Sequence, residues 1–259
     1  MRNPVLEALF TTGQTVDAAG ETRDVFPRGI SRAMGEAIAA LIFEHHCLHT
    51  MEVGCAFGVS SMFICDALTR RRTEGASHVI IDPWQTSYFA KAGILNLERA
   101  DFDFFELIEE PSERALPKLW EQGRRFDFAL IDGRHTMDQV MLDFFYIDKL
   151  LNVGGIIVFD DISFPGVAKA VRFVSSYPSY QIIPPFANPK KRHWKQKARR
   201  FAELGIKFMP ISQRVRRLLF SAELLAPGVV ERAAGAGDRF LAMKKQSEDN
   251  REYVWHVHV

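Results

Sequence analysis

The sequence predicts a doubly wound α/β domain on a mostly parallel seven-stranded sheet with helices on both faces. Three observations carry this expectation. Short runs rich in Val, Ile and Phe alternate with longer amphipathic runs, as repeated strand–helix–strand units require. The short runs end in a glycine turn or in aspartates, the residues expected at the carboxyl edge of such a sheet. At 259 residues the chain can bury a sizeable core and still fold as one domain.

Taken in order, residues 1–30 mix Gly, Thr, Pro and charge without a period and are expected to form an irregular N-terminal arm. Ser31 is placed to cap a helix in which Ile38, Leu41 and Ile42 recur at helical spacing up to His46. Strands are expected at 49–53, 78–81, 104–108, 126–131 and 155–159, and helices near 59–70, 86–99, 112–122 and 136–150. The last of these has the clearest stripe, with Met137, Val140, Met141, Phe144, Ile147 and Leu151 on one side and Asp138, Asp143 and Lys149 away from it. Residues 152–155 read as its stop. A helix at about 166–176 leads to a sixth strand at 180–184, ended by Pro184-Pro185, and a seventh is expected at 239–244. Between them lies a long insertion, 185–237, whose 190–217 stretch holds eleven Lys or Arg and one acid, Glu203. The main domain is therefore expected over 31–259, with this basic insertion or lid inside it.

Composition narrows the class. With 47% hydrophobic and 25% charged residues the chain has ordinary globular content. Its 33 basic against 32 acidic residues leave a net charge of +1, so the overall field drives it toward neither nucleic acid nor membrane. Cys47, Cys55 and Cys65 are odd in number, lack CxxC spacing and fall in segments that read as buried, which suits free thiols in a reducing cytoplasm. Asn3, Pro4 and Glu7 break any signal-like apolar run. The longest apolar run, 37–43, is far short of the about 20 residues that cross a bilayer.

The first strand ends in Glu52 and Val53 and breaks into Gly54-Cys55-Ala56-Phe57-Gly58-Val59-Ser60 before a helix. Glycines let the backbone turn tightly and approach a ligand. The spacing is not the GxGxxG of a pyrophosphate turn, which disfavours a dehydrogenase. Asp82, after the second strand, stands where an acid can accept from ribose hydroxyls, or it caps the next helix. Trp84 beside it could stack or fill the core. The fourth and fifth strands end in Asp132-Gly133-Arg134-His135 and Asp160-Asp161. Three clustered carboxylates repel unless a cation sits among them, and oxygen ligands suit Mg²⁺. Asp160 and Asp161 could share it only beyond the strand end, which Phe159 marks. His135 is within reach and suits a general base at neutral pH.

Together, the Glu52-x-Gly54-x-x-x-Gly58-x-Ser60 turn, Asp82, the 126–135 run ending Asp132-Gly133-x-His135, and the 154–161 run ending Asp160-Asp161 resemble class I S-adenosylmethionine-dependent methyltransferases. More narrowly, they resemble the metal-dependent small-molecule O-methyltransferases that include macrocin and other natural-product sugar methyltransferases. The resemblance spans about 48–175 and implies a Rossmann-like fold. It also implies that Glu52, Gly54, Gly58 and Ser60 line S-adenosylmethionine, that Asp82 holds the ribose, and that Asp132 touches the cofactor. Asp132, Asp160 and Asp161 would hold Mg²⁺, with His135 as base. Arg134 departs from the pattern; so near a metal, it must point outward or bind substrate. The implied partner is a small-molecule hydroxyl acceptor, whose pocket Phe89, Phe102, Trp194 and the insertion could shape.

Two other readings compete. The Lys190–Arg200 run, with Trp194 inside it, could hold phosphates and stack a base, as an RNA methyltransferase or RNA-binding protein would. A solvated face or lid is the commoner role for such a run. A scaffold without catalysis would have no use for the acidic residues. Homo-oligomers could form through the N-terminal arm or the 254–259 tail.

Overall fold

A computed structural model describes residues 3–70, 75–183 and 240–252. The elements at the N-terminus are α1 (Pro4–Thr12), β1 (Gln14–Val16) and β2 (Thr22–Asp24). The alternating part follows as α2 (Arg32–Glu44), β3 (His49–Val53), α3 (Val59–Arg70), β4 (Ser77–Ile81), α4 (Ala92–Arg99), β5 (Phe105–Ile108), α5 (Ser112–Glu121), β6 (Phe126–Ile131), α6 (Met137–Leu150), β7 (Leu151–Phe159), α7 (Pro165–Val174), β8 (Tyr180–Ile183) and β9 (Leu241–Lys245).

The seven-stranded sheet runs β5-β4-β3-β6-β7-β9-β8. β3 to β7 are mutually parallel, while β9 lies antiparallel between β7 and β8. The doubly wound expectation therefore holds. Chain order reverses between β3 and β6, and the crevice at that switch point is where such sheets bind ligands.

Each central strand buries both faces. On β7, Ile156 and Val158 join one core with α2, α3 and α4, while Ile157 and Phe159 join the other with α5, α6 and α7. β6 keeps this alternation from Phe128 onward, but Phe126 falls on the opposite face because the register against β7 shifts between Phe126 and Phe128. Asp127 sits at that irregularity and ties three strands, accepting from the Leu48 and His49 amides and from Asn152 Nδ2. These donors hold its carboxyl below the usual range against the opposing effect of burial.

The N-terminal arm is not irregular. Asn3 caps α1 through the Val5 amide, Pro4 opens the helix, Gly13 closes it at φ 72°, and Leu6 and Leu9 enter the core. The β1–β2 hairpin follows. Asn3-Pro4 and Gly13 are helix start and stop signals, legible but outweighed by the lack of a long apolar period. The expected 86–99 helix shortens to α4, because the chain turns through 83–91 with positive φ at Ala90 and Lys91. β7 begins at Leu151 rather than 155, so α6 passes directly into it. On α6, Met137 is exposed and Asp143 is fully buried, the reverse of the expected stripe. Gln139, one turn earlier, donates to Asp143, and Ser112 lies in the same hydrogen-bonded group. All three cysteines are free and buried, and burial pushes the Cys55 and Cys65 thiols up. Among the described residues no helix is long and apolar enough to cross a membrane.

Candidate active site

A cavity of about 1080 Å³ opens at the carboxyl ends of β3, β4, β6 and β7. Gly54, Ser60, Asp82, Asp132, His135, Asp160 and Asp161 line it; Glu52 and Gly58 do not.

The turn after β3 is shaped by contact with its neighbours. Gly54 has φ 92°, and a side chain there would fall on the Asp132 carbonyl. Gly58 has φ 78°, and a Cβ would sit 2.7 Å from the Gly93 carbonyl oxygen. Gly54 thus lets the turn after β3 pass directly against the Asp132 backbone at the end of β6, whereas Gly58 serves backbone packing outside the cavity wall.

Asp82 holds the head of this turn. Its Oδ2 accepts from the Cys55 amide at 3.0 Å, the Ala56 amide at 2.9 Å and Gln85 Nε2 at 3.1 Å, and its Oδ1 accepts from the Trp84 amide at 2.9 Å. Those amides are therefore taken and do not face a pyrophosphate. A carboxylate offers about two acceptor sites on each oxygen; Oδ2 already takes three donors and Oδ1 only one, so Oδ1 alone has room for a further donor, a single hydroxyl rather than two. The expected helix cap is not formed: Trp84 lies in a turn, and α4 starts only at Ala92, with Lys91 before it and no side-chain cap. Trp84 itself is 58% exposed and lines the cavity, so it is not core filling.

Glu52 lies beneath the turn. It is fully buried, with Oε1 against the Ser61 hydroxyl and 3.2 Å from His78 Nε2. His78 Nδ1 lies 3.0 Å from Thr50 Oγ1. The carboxylate thus belongs to an internal polar group that braces β3, β4 and α3. The β3–β4 register pairs Thr50 with His78 and Glu52 with Ile80, which puts Glu52 and His78 on one face of the sheet.

At the ends of β6 and β7, oxygens of Asp132 and Asp161 and a nitrogen of His135 lie within 4.8 Å of one another. His135 Nε2 is 3.3 Å from Asp161 Oδ2 and 3.7 Å from Asp132 Oδ1. Asp161 reaches this point because its φ is 51°, a left-handed conformation that Asp tolerates better than most residues. Asp160 lines the cavity but stands outside the trio, its Oδ1 accepting from the Asp161 amide at 2.6 Å. Of the expected set, Asp132 and Asp161 fall in this group, with His135 beside them. Burial raises the Asp132 carboxyl to about 6 despite His135 beside it. Asp132 first, with Asp161 and Asp160 adding, raises the His135 imidazole. Two carboxylates and an imidazole suit a divalent cation that keeps waters in its remaining positions. The His135 ring stacks on Phe164, with centroids 4.9 Å apart.

Sequence reasoning did not single out Arg28, Ser112, Glu113, Gln139 or Phe164, which also line the cavity. They come from loops and helix starts that only the tertiary fold gathers. Phe89 lines it as expected and Arg134 does too, whereas Phe102 is in the core. Trp194 and the 185–237 insertion lie outside the described residues, as does the 254–259 tail.

Residues 51–162 match the family model for a methyltransferase domain. A search of curated protein sequences finds no match. Among solved structures, an O-methyltransferase from Bacillus cereus in complex with SAH has a TM-score of 0.58 at 18% identity, over 71% of this chain and 84% of that one. The Streptomyces achromogenes O-methyltransferase TomG, involved in tomaymycin synthesis and in complex with SAM, gives 0.54 at 18%, over 95% and 92%. An SAH-bound methyltransferase from Podospora anserina gives 0.54 at 17%, over 94% and 88%. At these identities the likeness is one of fold.

Proposed function

We propose that the chain is a class I S-adenosylmethionine-dependent methyltransferase, a reading its methyltransferase-domain match supports, and that it methylates a hydroxyl oxygen of a small molecule such as a natural product or sugar. The observation that carries this reading is the convergence of Asp132, Asp161 and His135 at the cavity wall beside the Gly54 turn. The O-methyltransferases among its structural neighbours support it.

The cofactor would lie over the turn at Gly54 and Ser60, with one ribose hydroxyl on Asp82 Oδ1. In the reaction the sulfur–methyl bond breaks, an oxygen–methyl bond forms, and S-adenosylhomocysteine leaves. The acceptor hydroxyl is a poor nucleophile until its proton departs. His135, 36% exposed at its side chain toward the cavity, takes that proton. Asp132 and Asp161 stabilise the resulting imidazolium and would hold a Mg²⁺ ion. Bound there, the ion would acidify and orient the acceptor oxygen. Asp160 fixes the Asp161 backbone, and the Phe164 ring sets the plane of the imidazole. Alignment of acceptor and methyl group supplies much of the rate.

The test is a mass-spectrometric screen of candidate hydroxyl acceptors with S-adenosylmethionine, with and without Mg²⁺. A gain of one methyl group on oxygen is expected. Methyl transfer only to nitrogen or to RNA overturns the assignment.

A further inference from the structure

Asn96, on α4 and 1% exposed, has both ends of its side chain engaged. Its Nδ2 donates to the Phe57 carbonyl at 3.0 Å, inside the turn after β3. Its Oδ1 accepts from the Thr15 hydroxyl at 2.6 Å. Thr15 is itself buried, belongs to β1 and lies 81 residues away in sequence. The N-terminal hairpin and the cofactor turn are thus joined through one amide group.

The surroundings make this link stiff. The hairpin grips both ends of α4: the Ala18 amide donates to the Ala90 carbonyl at 2.9 Å, and Arg99 Nη1 donates to the Val16 carbonyl at 2.8 Å and to Asn96 Oδ1 at 3.2 Å. On the side facing the turn, Gly93 packs so closely that a Cβ would come 2.5 Å from the Ala56 carbonyl oxygen. Gln85 Nε2 donates to that same carbonyl at 2.8 Å, while the Gln85 backbone carbonyl accepts from the Lys91 amide at 2.6 Å. One short helix therefore touches the hairpin on one side and the turn on the other.

The turn needs such restraint. Gly54, Ala56 and Gly58 all have positive φ, and a non-glycine residue held there persists only where its surroundings over-determine it. Gly54, Cys55 and Ala56 also line the cavity, so a peptide rotation at Phe57 would alter the surface offered to a ligand.

Resting on the cofactor reading above, we propose that Thr15 and Asn96 are positioning residues for S-adenosylmethionine. Docking of the N-terminal hairpin sets the geometry of the cofactor turn. By reciprocity, cofactor occupancy tightens the hairpin.

The experiment compares the full-length protein with Thr15→Val and Thr15→Ser. Calorimetry with S-adenosylhomocysteine, steady-state kinetics and amide hydrogen exchange are measured on each. Losing one buried hydrogen bond corresponds to about fivefold weaker binding, so Thr15→Val is expected to raise Kd and the cofactor KM by that factor while kcat at saturating cofactor stays near wild type. Thr15→Ser restores both. In the wild type, bound S-adenosylhomocysteine slows exchange across residues 14–24. Equal cofactor affinity in Thr15→Val with only a lower Tm, or hairpin exchange unmoved by ligand, overturns the proposal. If the wild type binds no S-adenosylhomocysteine, the cofactor reading fails, and exchange at the Ala56–Gly58 amides still decides the link: protection unchanged by Thr15→Val overturns it. Should Thr15→Val fold poorly, Arg99→Gln replaces it, removing the second donor to Asn96 from an exposed position.

Discussion

The Asp82 carboxylate accepts from the Ala56 amide at 2.9 Å, fastening the end of β4 to the turn that leaves β3. The same oxygen takes the Cys55 amide. One residue thus shapes the turn and presents its last acceptor site to the cavity. Hydrogen bonds to a charged group contribute about 1.5–3 kcal/mol. Asp82→Asn keeps the volume but removes charge and acceptor capacity. It is expected to weaken S-adenosylhomocysteine binding by about 10- to 100-fold in calorimetry and to lower Tm. A variant that binds as tightly as wild type would show that Asp82 neither shapes the turn nor meets the ribose.

Asp143 gives a pH signature with no part in the chemistry. Burial raises its carboxyl to about 6, and its Oδ2 has no hydrogen-bond partner among the described residues. With the folded value raised, its contribution to stability is complete below the unfolded value near 4 and is lost as pH rises through about 6. Above that, a charged Asp143 costs roughly 2–3 kcal/mol. Asp143→Asn keeps the acceptor for Gln139 and cannot ionise. Urea denaturation is expected to show the variant gaining on wild type between pH 4 and 7.5, by about that amount at the upper end. A variant less stable than wild type at pH 7.5 would sink this account.

The sheet was legible because both of its periodicities are local. Gly54, Asp82 and the 126–131 run announce strand ends within a few residues of themselves, and β3, α3 and β6 match the expected bounds. Other positions are decided by what lies across the fold. Glu52 turned inward because His78 and Ser61 meet it there, and Asp143 because Gln139 and Ser112 do. Gly58 answers to Gly93, on another element. That Asp161 meets Asp132 and His135 depends on its left-handed φ, which no strand pattern could foretell.

Metal removal tests the proposed ion site. With Mg²⁺ held by Asp132 and Asp161, EDTA is expected to lower turnover by about 100-fold or more, and added Mg²⁺ to restore it. S-adenosylhomocysteine binding should change little, since the turn and Asp82 are untouched. Asp161→Ala should reproduce the loss. Asp160→Ala should lose less, because Asp160 acts through the Asp161 amide. Equal losses in the two variants would return Asp160 to the ligand set, and turnover indifferent to EDTA would remove the ion from the reaction.

His135 can serve as base or as third ligand, and the two roles separate in Mg²⁺ dependence. Its nitrogen lies as close to Asp161 as a shared ligand would, yet the ring stacks on Phe164 with its side chain still 36% exposed, which leaves it open to an acceptor proton. General-base catalysis contributes about 10²–10⁴-fold, so His135→Asn is expected to lower kcat within that range while S-adenosylhomocysteine affinity holds. For a base, the Mg²⁺ concentration giving half-maximal residual activity stays at its wild-type value. For a ligand it rises steeply, because one of three protein donors has gone. A His135→Asn variant with near-normal kcat but a raised Mg²⁺ requirement would reassign the proton to bulk water and His135 to the ion.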